Sequence, residues 1–465
     1  MQTKIIVLGK NYSTSLGVIR PLGQAGYKID LLYIVNKAGD SKIAAASKYV
    51  DRTIEQLGRR DEEIIDKLTE TYTDEATRYI LLPSDDYTSS LIDRYRDKLA
   101  GRFVMPYIKE TTGSDTATTP GSTIGSDTAT TPGSTTGSDT ATITGYMDKG
   151  FQVGKAKEYG LKAADSWEVS LAPEQPKIPD DLPYPCFCKP IVSARGGKRE
   201  ICKCKDRAAL TETLTKLRKK NKDRSVILQE FLEIEEEFSI SGVCLDEQII
   251  LPALLKKVKV AEFDKGVTMI GRVDKIDELK ETIDKLTALL KSLHYVGMID
   301  IELIKTRDGI YFNELNFRSS GVSYAVTKAG CNLPKLLADY LCKETAANES
   351  TIHKTEGASS AADTTTGTAT APNAQMREGS DYPAQITYGL QFIYNKAAWE
   401  DYIHDVITKE ELDRYFAESD FTMLDDDNDP APLEAFNKFA KGMYLRTKIN
   451  KVFHFRELRK KLRNR

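Results

Sequence analysis

Short apolar runs alternate with stretches of helical spacing over the first hundred residues. "KIIVLG" is an apolar run closed by glycine, "SLGVIRPLGQAGY" has helical spacing, and "KIDLLYI" reads as a second strand. "DEEIIDKLTETYTDEA" follows as an amphipathic helix, then "RYILLPSDD" as a third strand ending in a polar turn. Strand and helix patterns in alternation predict a parallel α/β sheet. In such sheets the loops after the strands face the ligand crevice, which here selects residues 9–15 and 84–86. Ordinary turn chemistry would favour the same residue types.

From residue 146 the pattern changes to α+β. "DKGFQVGKAKEYGL" predicts a helix, and "YPCFCKPI" and "KREICKCK" an antiparallel pair around a glycine-containing turn. "DRAALTETLTKLRKK" is a helix with an aspartate cap, "SVILQEFL" a strand, and "EEFSISGVCLDEQIILPAL" a β-hairpin pattern. Ile276, Leu279, Ile283, Leu286, Leu290 and Leu293 fall at three- and four-residue steps and predict an amphipathic helix. "VGMIDIELIKTRDGIYFNELNF" is two strands around the Asp308-Gly309 turn.

Two segments have almost nothing to bury. "GSDTATTPGST" begins at Gly113 and Gly125 and a divergent "GSDTATITG" at Gly137, a 12-residue spacing, and a second Thr/Ala/Ser/Gly-rich stretch spans about 346–381. Solenoid repeats need apolar stacking residues, so both read as disordered insertions. The expected organisation is an α/β domain at 1–106, the repeat insertion at 107–145, and an α+β unit whose small part is 146–228 and large part 229–345. The low-complexity segment at 346–381 and a C-terminal segment at 382–465 complete it.

Composition narrows the function. A net charge of −3 and a pI of about 6.0 give no basic field for nucleic acid. The N-terminal apolar run, Ile5 to Leu8, is too short for a secretory signal, and no run reaches the roughly 18 apolar residues of a spanning helix. The expected location is the cytoplasm. The chain ends in "KGMYLRTKINKVFHFRELRKKLRNR", with ten Lys/Arg, which suits an anionic membrane surface or a polyanion, or simply a solvated helix. Seven cysteines include the pairs Cys186/Cys188 and Cys202/Cys204. A four-thiolate metal site and two neighbouring strands with reduced thiols both fit; the C-x-C spacing differs from the usual zinc knuckle, and the odd total argues for free thiols.

Candidate chemistry concentrates in "IYFNELNFR". In a strand, Glu314, Asn316 and Arg318 share one face while Leu315 and Phe317 share the other. A turn at Asp308-Gly309 brings Glu302 opposite Glu314. Two carboxylates so placed repel unless a cation lies between them, and an all-oxygen set completed by phosphate and water suits magnesium. Arg318 can then hold an anionic reactant. Taken alone, the strand is equally a solvated sheet face with an incidental ion pair. Lys189, before Gly196 and Gly197, can reach phosphate, or can flank a plain hairpin turn. The backbone of Gln229, Glu230 and Leu232 suits an adenine and the Glu237 carboxylate a ribose, although by itself this is a surface acidic run.

In combination and order these elements resemble the ATP-grasp superfamily over about residues 146–343. "NELNFRSSGVSYAVTKAGCNLPKLLADYL" is similar to its carbamoyl-phosphate-synthase and carboxylate–amine-ligase branch. The resemblance implies a pre-ATP-grasp domain at 1–106 and a cofactor set of ATP and Mg2+, with Mn2+ as a substitute. It implies that Lys149 and Lys189 contact the ATP phosphates beneath a loop containing Gly196 and Gly197. Gln229, Glu230 and Leu232 would form the adenine hinge, and Glu237 the ribose contact. Glu302, Glu314 and Asn316 would bind magnesium, and Arg318 would stabilise the acyl phosphate or tetrahedral intermediate. The loop departs from the family in being glycine-poor, with Arg195, Lys198 and Arg199 in it. The implied activity is ligation of a small-molecule carboxylate, envelope- or polysaccharide-related by analogy, to an amine or similar nucleophile. A bicarbonate-using carboxylase-like enzyme and a catalytically silent nucleotide-binding protein are the alternatives.

Overall fold

The computed structural model describes residues 2–109, 142–173, 176–190, 201–220, 225–343 and 386–463; of residues 190 and 450–463 it describes the backbone. Gly196 and Gly197, most of the 12-residue repeats and the second low-complexity stretch lie outside the described residues.

The N-terminal α/β pattern folds as a parallel sheet. Its strands are β1 (Gln2–Gly9), β2 (Lys28–Val35), β3 (Val50–Leu57), β4 (Thr77–Pro83) and β5 (Phe103–Val104), in the order β3-β2-β1-β4-β5. Ile5 to Leu8 are fully buried because helices pack on both faces of the sheet. Strand order reverses between β1 and β4, so the two loops selected from the sequence lie side by side at the switch point. There Gly9 admits the approach of its neighbours: a Cβ would stand 2.1 Å from Ser84 Oγ and 2.5 Å from Ser15 Oγ. β3 was absent from the sequence expectation because it is an edge strand, "VDRTIEQL", with only Leu57's neighbour Gln56 fully buried.

Two short strands, β6 (Tyr107–Ile108) and β7 (Lys162–Ala163), join the largest sheet. A smaller sheet contains β8 (Ser166–Ser170), β9 (Cys186–Pro190), β10 (Cys202–Cys204) and β11 (Ser225–Glu230), in the order β10-β9-β11-β8. The helix Arg207–Lys220 covers it, inserting Leu210, Leu214 and Leu217 among Cys186, Cys188 and Cys204; Asp206 Oδ1 caps that helix through Ala209 N at 2.8 Å.

The largest sheet is built on β12 (Glu236–Leu245), β13 (Gln248–Ile250), β14 (Leu254–Val260), β15 (Thr268–Asp274), β16 (Tyr295–Thr306) and β17 (Gly309–Asn316). Two strands from the C-terminal segment, β18 (Gln391–Ile393) and β19 (Phe421–Thr422), extend it, giving the order β19-β18-β15-β14-β12-β16-β17-β7. The helix Lys280–Ser292 places Leu286, Leu289 and Leu290 against Ile299, Ile301 and Leu303, as its apolar spacing requires. The mixed α/β plus α+β class expected from the pattern is the class observed.

The acidic run near residue 425 is structural. Asp429, fully buried, accepts from Arg20 Nε at 2.9 Å, Ser47 Oγ at 2.8 Å and Lys48 N at 2.8 Å, tying the C-terminal segment to the first helix. Asp426 receives Tyr324 and Gln24 in the same layer. The basic tail is the end of the helix Ala431–Arg463, and no helix among the described residues is long and apolar enough to cross a membrane.

Candidate active site

The hairpin β16–β17 brings the predicted acidic residues together. Register pairs Glu302 with Glu314 and Asp300 with Asn316, so four oxygen-bearing side chains share one face. A bulge places Asn313 beside this row, where its Nδ2 donates to Glu302 Oε2 at 3.3 Å. Leu315 and Phe317 point into the opposite core, as alternation demands. Asp300 was not singled out in the sequence; "DIE" places it two residues before Glu302 and therefore on the same face, a signal the alternation rule alone could have supplied.

Two lysines face this row from other elements. Lys149 begins the helix Lys149–Glu158, whose Asp148 cap fixes its start, and its Nζ lies 3.4 Å from Glu314 Oε1. Lys189 extends from β9 on the face opposite Cys188, and its Nζ donates to Gln229 Oε1 at 2.5 Å. Burial, then the neighbouring Lys149, pulls the Lys189 ammonium down to about 8 against the attraction of Glu314 and Glu302. Gln229 is itself oriented by Ser166 Oγ at 3.3 Å.

The remaining predicted residues take defined places. Glu230 turns towards the connection before β8: its carboxylate accepts Asp165 N at 3.1 Å and its own N–H reaches Asp165 O at 3.0 Å. Leu232 is half-buried in the segment between β11 and β12. Glu237 pairs with Lys257 at 2.5 Å. Burial opposes the Lys257 charge, but Glu302 and Glu237 outweigh it and hold the ammonium above its ordinary range.

Arg318 is clamped between two units of the fold. Its Nε donates to Asp86 Oδ1 at 2.9 Å, and its Nη1 lies 3.6 Å from Asp300 Oδ2. Burial pushes the Asp300 carboxyl up to about 7, Arg318 opposes this, Glu302 adds to it, and Ser241 Oγ donates to Asp300 Oδ1 at 3.1 Å. The Asp85 side chain caps the helix Asp86–Arg94 in a capping box with Thr88, which fixes Asp86 at the mouth of the cleft. Ser89 Oγ donates to Phe317 O at 2.9 Å, and Ser13 Oγ lies 2.8 Å from Tyr394 OH. Ser15 Oγ lies 3.1 Å from Ser84 Oγ, joining residues 9–15 to 84–86, and Tyr394 adds a contact from the C-terminal segment.

Glu302, Glu314 and Asn316 supply two carboxylates and an amide, a hard-oxygen set that fits magnesium completed by phosphate and water. No group of three or more His, Cys, Asp or Glu side chains among the described residues, the four cysteines of β9–β10 included, is disposed to hold a metal by itself. A cavity of about 800 Å³ lies behind the same sheet, lined by Glu236, Lys256, Arg272, Asp274 and Lys305. Its charges close on one another, Lys256–Glu236 at 2.7 Å and Arg272–Asp274 at 2.6 Å, and it is separate from the cleft.

Two lysines thus oppose paired carboxylates between the small sheet and the large, mostly antiparallel one. Residues 155–335 match the family model of the ATP-grasp domain, and the chain carries that domain. The carbamoyl phosphate synthase large chain of Agathobacter rectalis is 25% identical over 190 residues; the match covers 40% of this chain and only 18% of that relative. Among solved structures, an L-amino acid ligase from Bacillus licheniformis superposes with a TM-score of 0.50 at 15% identity, covering 73% of this chain and 75% of that one. A biotin carboxylase from Campylobacter jejuni gives 0.51 at 14% identity, covering 73% and 70%. Both show the shared fold.

Proposed function

We propose that the protein is an ATP- and magnesium-dependent ligase that activates a small-molecule carboxylate as an acyl phosphate and joins it to an amine or similar nucleophile. The observation that carries this reading is the convergence of Lys149 and Lys189 on Glu302 and Glu314, with Arg318 fixed at the end of the same row. Lys149 and Lys189 bind and orient the phosphates and offset their charge. Glu302, Glu314 and Asn316 hold the metal, which when bound neutralises charge on the transferring phosphoryl group. Arg318, set by Asp86 and Asp300, presents N–H donors to charge developing on the acyl oxygen. Gly196 and Gly197 are assigned to the phosphate loop, Gln229, Glu230 and Leu232 to the adenine edge, and Glu237 to the ribose, by resemblance. A role for the basic tail at a membrane or polyanion draws no support from the related proteins and is not part of this reading.

A bicarbonate-activating reaction is the second reading, favoured by the likeness to a carbamoyl phosphate synthase and by the biotin carboxylase fold. One experiment separates them. The purified protein with Mg-ATP is screened against carboxylates, amines and bicarbonate, reading ADP and phosphate. Turnover dependent on a carboxylate–amine pair supports ligation, and bicarbonate-dependent turnover supports the second reading. No turnover together with no ATP-induced thermal shift overturns both.

A further inference from the structure

The antiparallel pair β9–β10 carries four cysteines in matched register: Cys188 opposes Cys202, and Cys186 opposes Cys204. Side chains alternate, so all four thiols lie on one face and Phe187 and Lys189 on the other. All seven cysteines of the chain are thiols in this structure. The two pairs differ in access. Cys186 and Cys204 are fully buried under the helix Arg207–Lys220, hydrogen-bond each other, and Cys204 also bonds Thr213 Oγ1 at 3.7 Å. Burial raises both above the ordinary thiol range, Cys186 to about 11, and neither can be reached by a reagent from solvent. In the other pair Cys188 is buried but Cys202 is half-exposed at the sheet edge, since β10 is the terminal strand.

We propose that Cys188 and Cys202 form a thiol–disulfide modification site that takes small-molecule disulfides and weakens nucleotide binding when oxidised; the nucleotide part rests on the ligase reading above. The Cys202 thiolate attacks one sulfur of a low-molecular-weight disulfide, releasing one thiolate and leaving a mixed disulfide on Cys202. The Cys188 thiolate then attacks the Cys202 sulfur and releases the second small thiol. The balance is one small disulfide and two protein thiols giving one protein disulfide and two small thiols. Directly opposed strand residues hold their Cβ atoms about 4.5–5.5 Å apart, whereas a disulfide brings them to about 3.8 Å. Closing that gap turns the backbone at Cys188. Lys189 is the next residue, and its Nζ sits 2.5 Å from Gln229 Oε1, a contact that tolerates little rotation.

The test uses the full-length protein equilibrated with glutathione disulfide, alkylated, digested and mapped by mass spectrometry, with Mg-ATP affinity measured on the same samples. Expected are a Cys188–Cys202 linked peptide reversed by dithiothreitol, free Cys186 and Cys204, and about tenfold weaker Mg-ATP binding in the oxidised form. Cys202→Ser should abolish both the crosslink and the oxidant sensitivity, while Cys342→Ser, which removes another half-exposed thiol, should change neither. A stable glutathione adduct on Cys202 that Cys188 never resolves, a Cys186–Cys204 crosslink, or modification of Cys342 alone would overturn the site. Crosslinking with unchanged affinity overturns the effect on nucleotide. Failure of the reduced protein to bind Mg-ATP counts against the ligase reading and leaves the mapped disulfide standing.

Discussion

Asp86 Oδ1 receives the Arg318 Nε proton at 2.9 Å, across 232 positions of sequence. The parallel N-terminal sheet thus reaches into the cleft and sets the direction of the arginine proposed to meet developing charge. Asp86→Asn keeps an acceptor but removes the charge that aligns the guanidinium. Turnover, read as ADP release with a responsive substrate pair, should fall about tenfold, with the KM for ATP within about twofold of the parent. An equal loss in ATP affinity would show that Asp86 serves the nucleotide instead.

Glu314 is paired with Glu302 in register and touched by Lys149. Loss of groups that merely support a metal ligand costs about 10–100-fold in affinity or activity, so loss of a ligand should cost at least about 100-fold. Glu314→Gln should therefore lose magnesium-dependent turnover by that margin while keeping its melting temperature. Retention of full activity would remove Glu314 from the metal site.

Lys189 gives two pH effects of opposite sign. Its folded value is pulled down to about 8, below the ordinary lysine value near 10.5. The cation that holds phosphate is lost as pH rises through 8, so nucleotide affinity should fall between about pH 7 and 9, and Lys189→Met should flatten that dependence. For folding, the unfolded lysine binds the proton more tightly over this window. The contribution of Lys189 to stability is therefore least favourable below 8 and improves towards 10.5. Isothermal titration and urea unfolding at matched pH values check the two arms.

Arg20 and Asp429 form an ion pair with no exposure on either side chain. Removing one partner leaves a buried charge uncompensated, which costs about 3–5 kcal/mol. Arg20→Ala and Asp429→Ala should each destabilise the protein by that amount in urea unfolding. Arg20→Met combined with Asp429→Leu should recover only part of the loss, because both charges are gone but Ser47 Oγ and Lys48 N lose their acceptor.

The candidate row of Glu302, Glu314 and Asn316 was legible because it obeys a local rule. Alternation put Glu314 and Asn316 of β17 on one face with Arg318 two residues beyond the strand, and a single turn at Asp308-Gly309 supplied Glu302. Asp206 was readable as a cap for the same reason: the signal lies within three residues. What escaped was contributed by packing between distant segments. Nothing near Arg318 in sequence announces Asp86, and nothing near Ser13 announces Tyr394. β3 escaped because an edge strand wets both faces and loses its apolar period. The acidic run near residue 425 was legible only as charge; its use as buried acceptors for Arg20, Ser47 and Tyr324 depends on where the chain returns.

That return bears on synthesis. Arg20 leaves the ribosome 409 residues before Asp429, the carboxylate that pairs with it in the finished fold. Until residue 429 emerges, the N-terminal sheet can assemble its strands but carries a guanidinium with no counter-charge on the face that the C-terminal segment will cover. A nascent chain stopped short of residue 429 should therefore remain open to proteases at the first helix although every strand of the N-terminal sheet has been made.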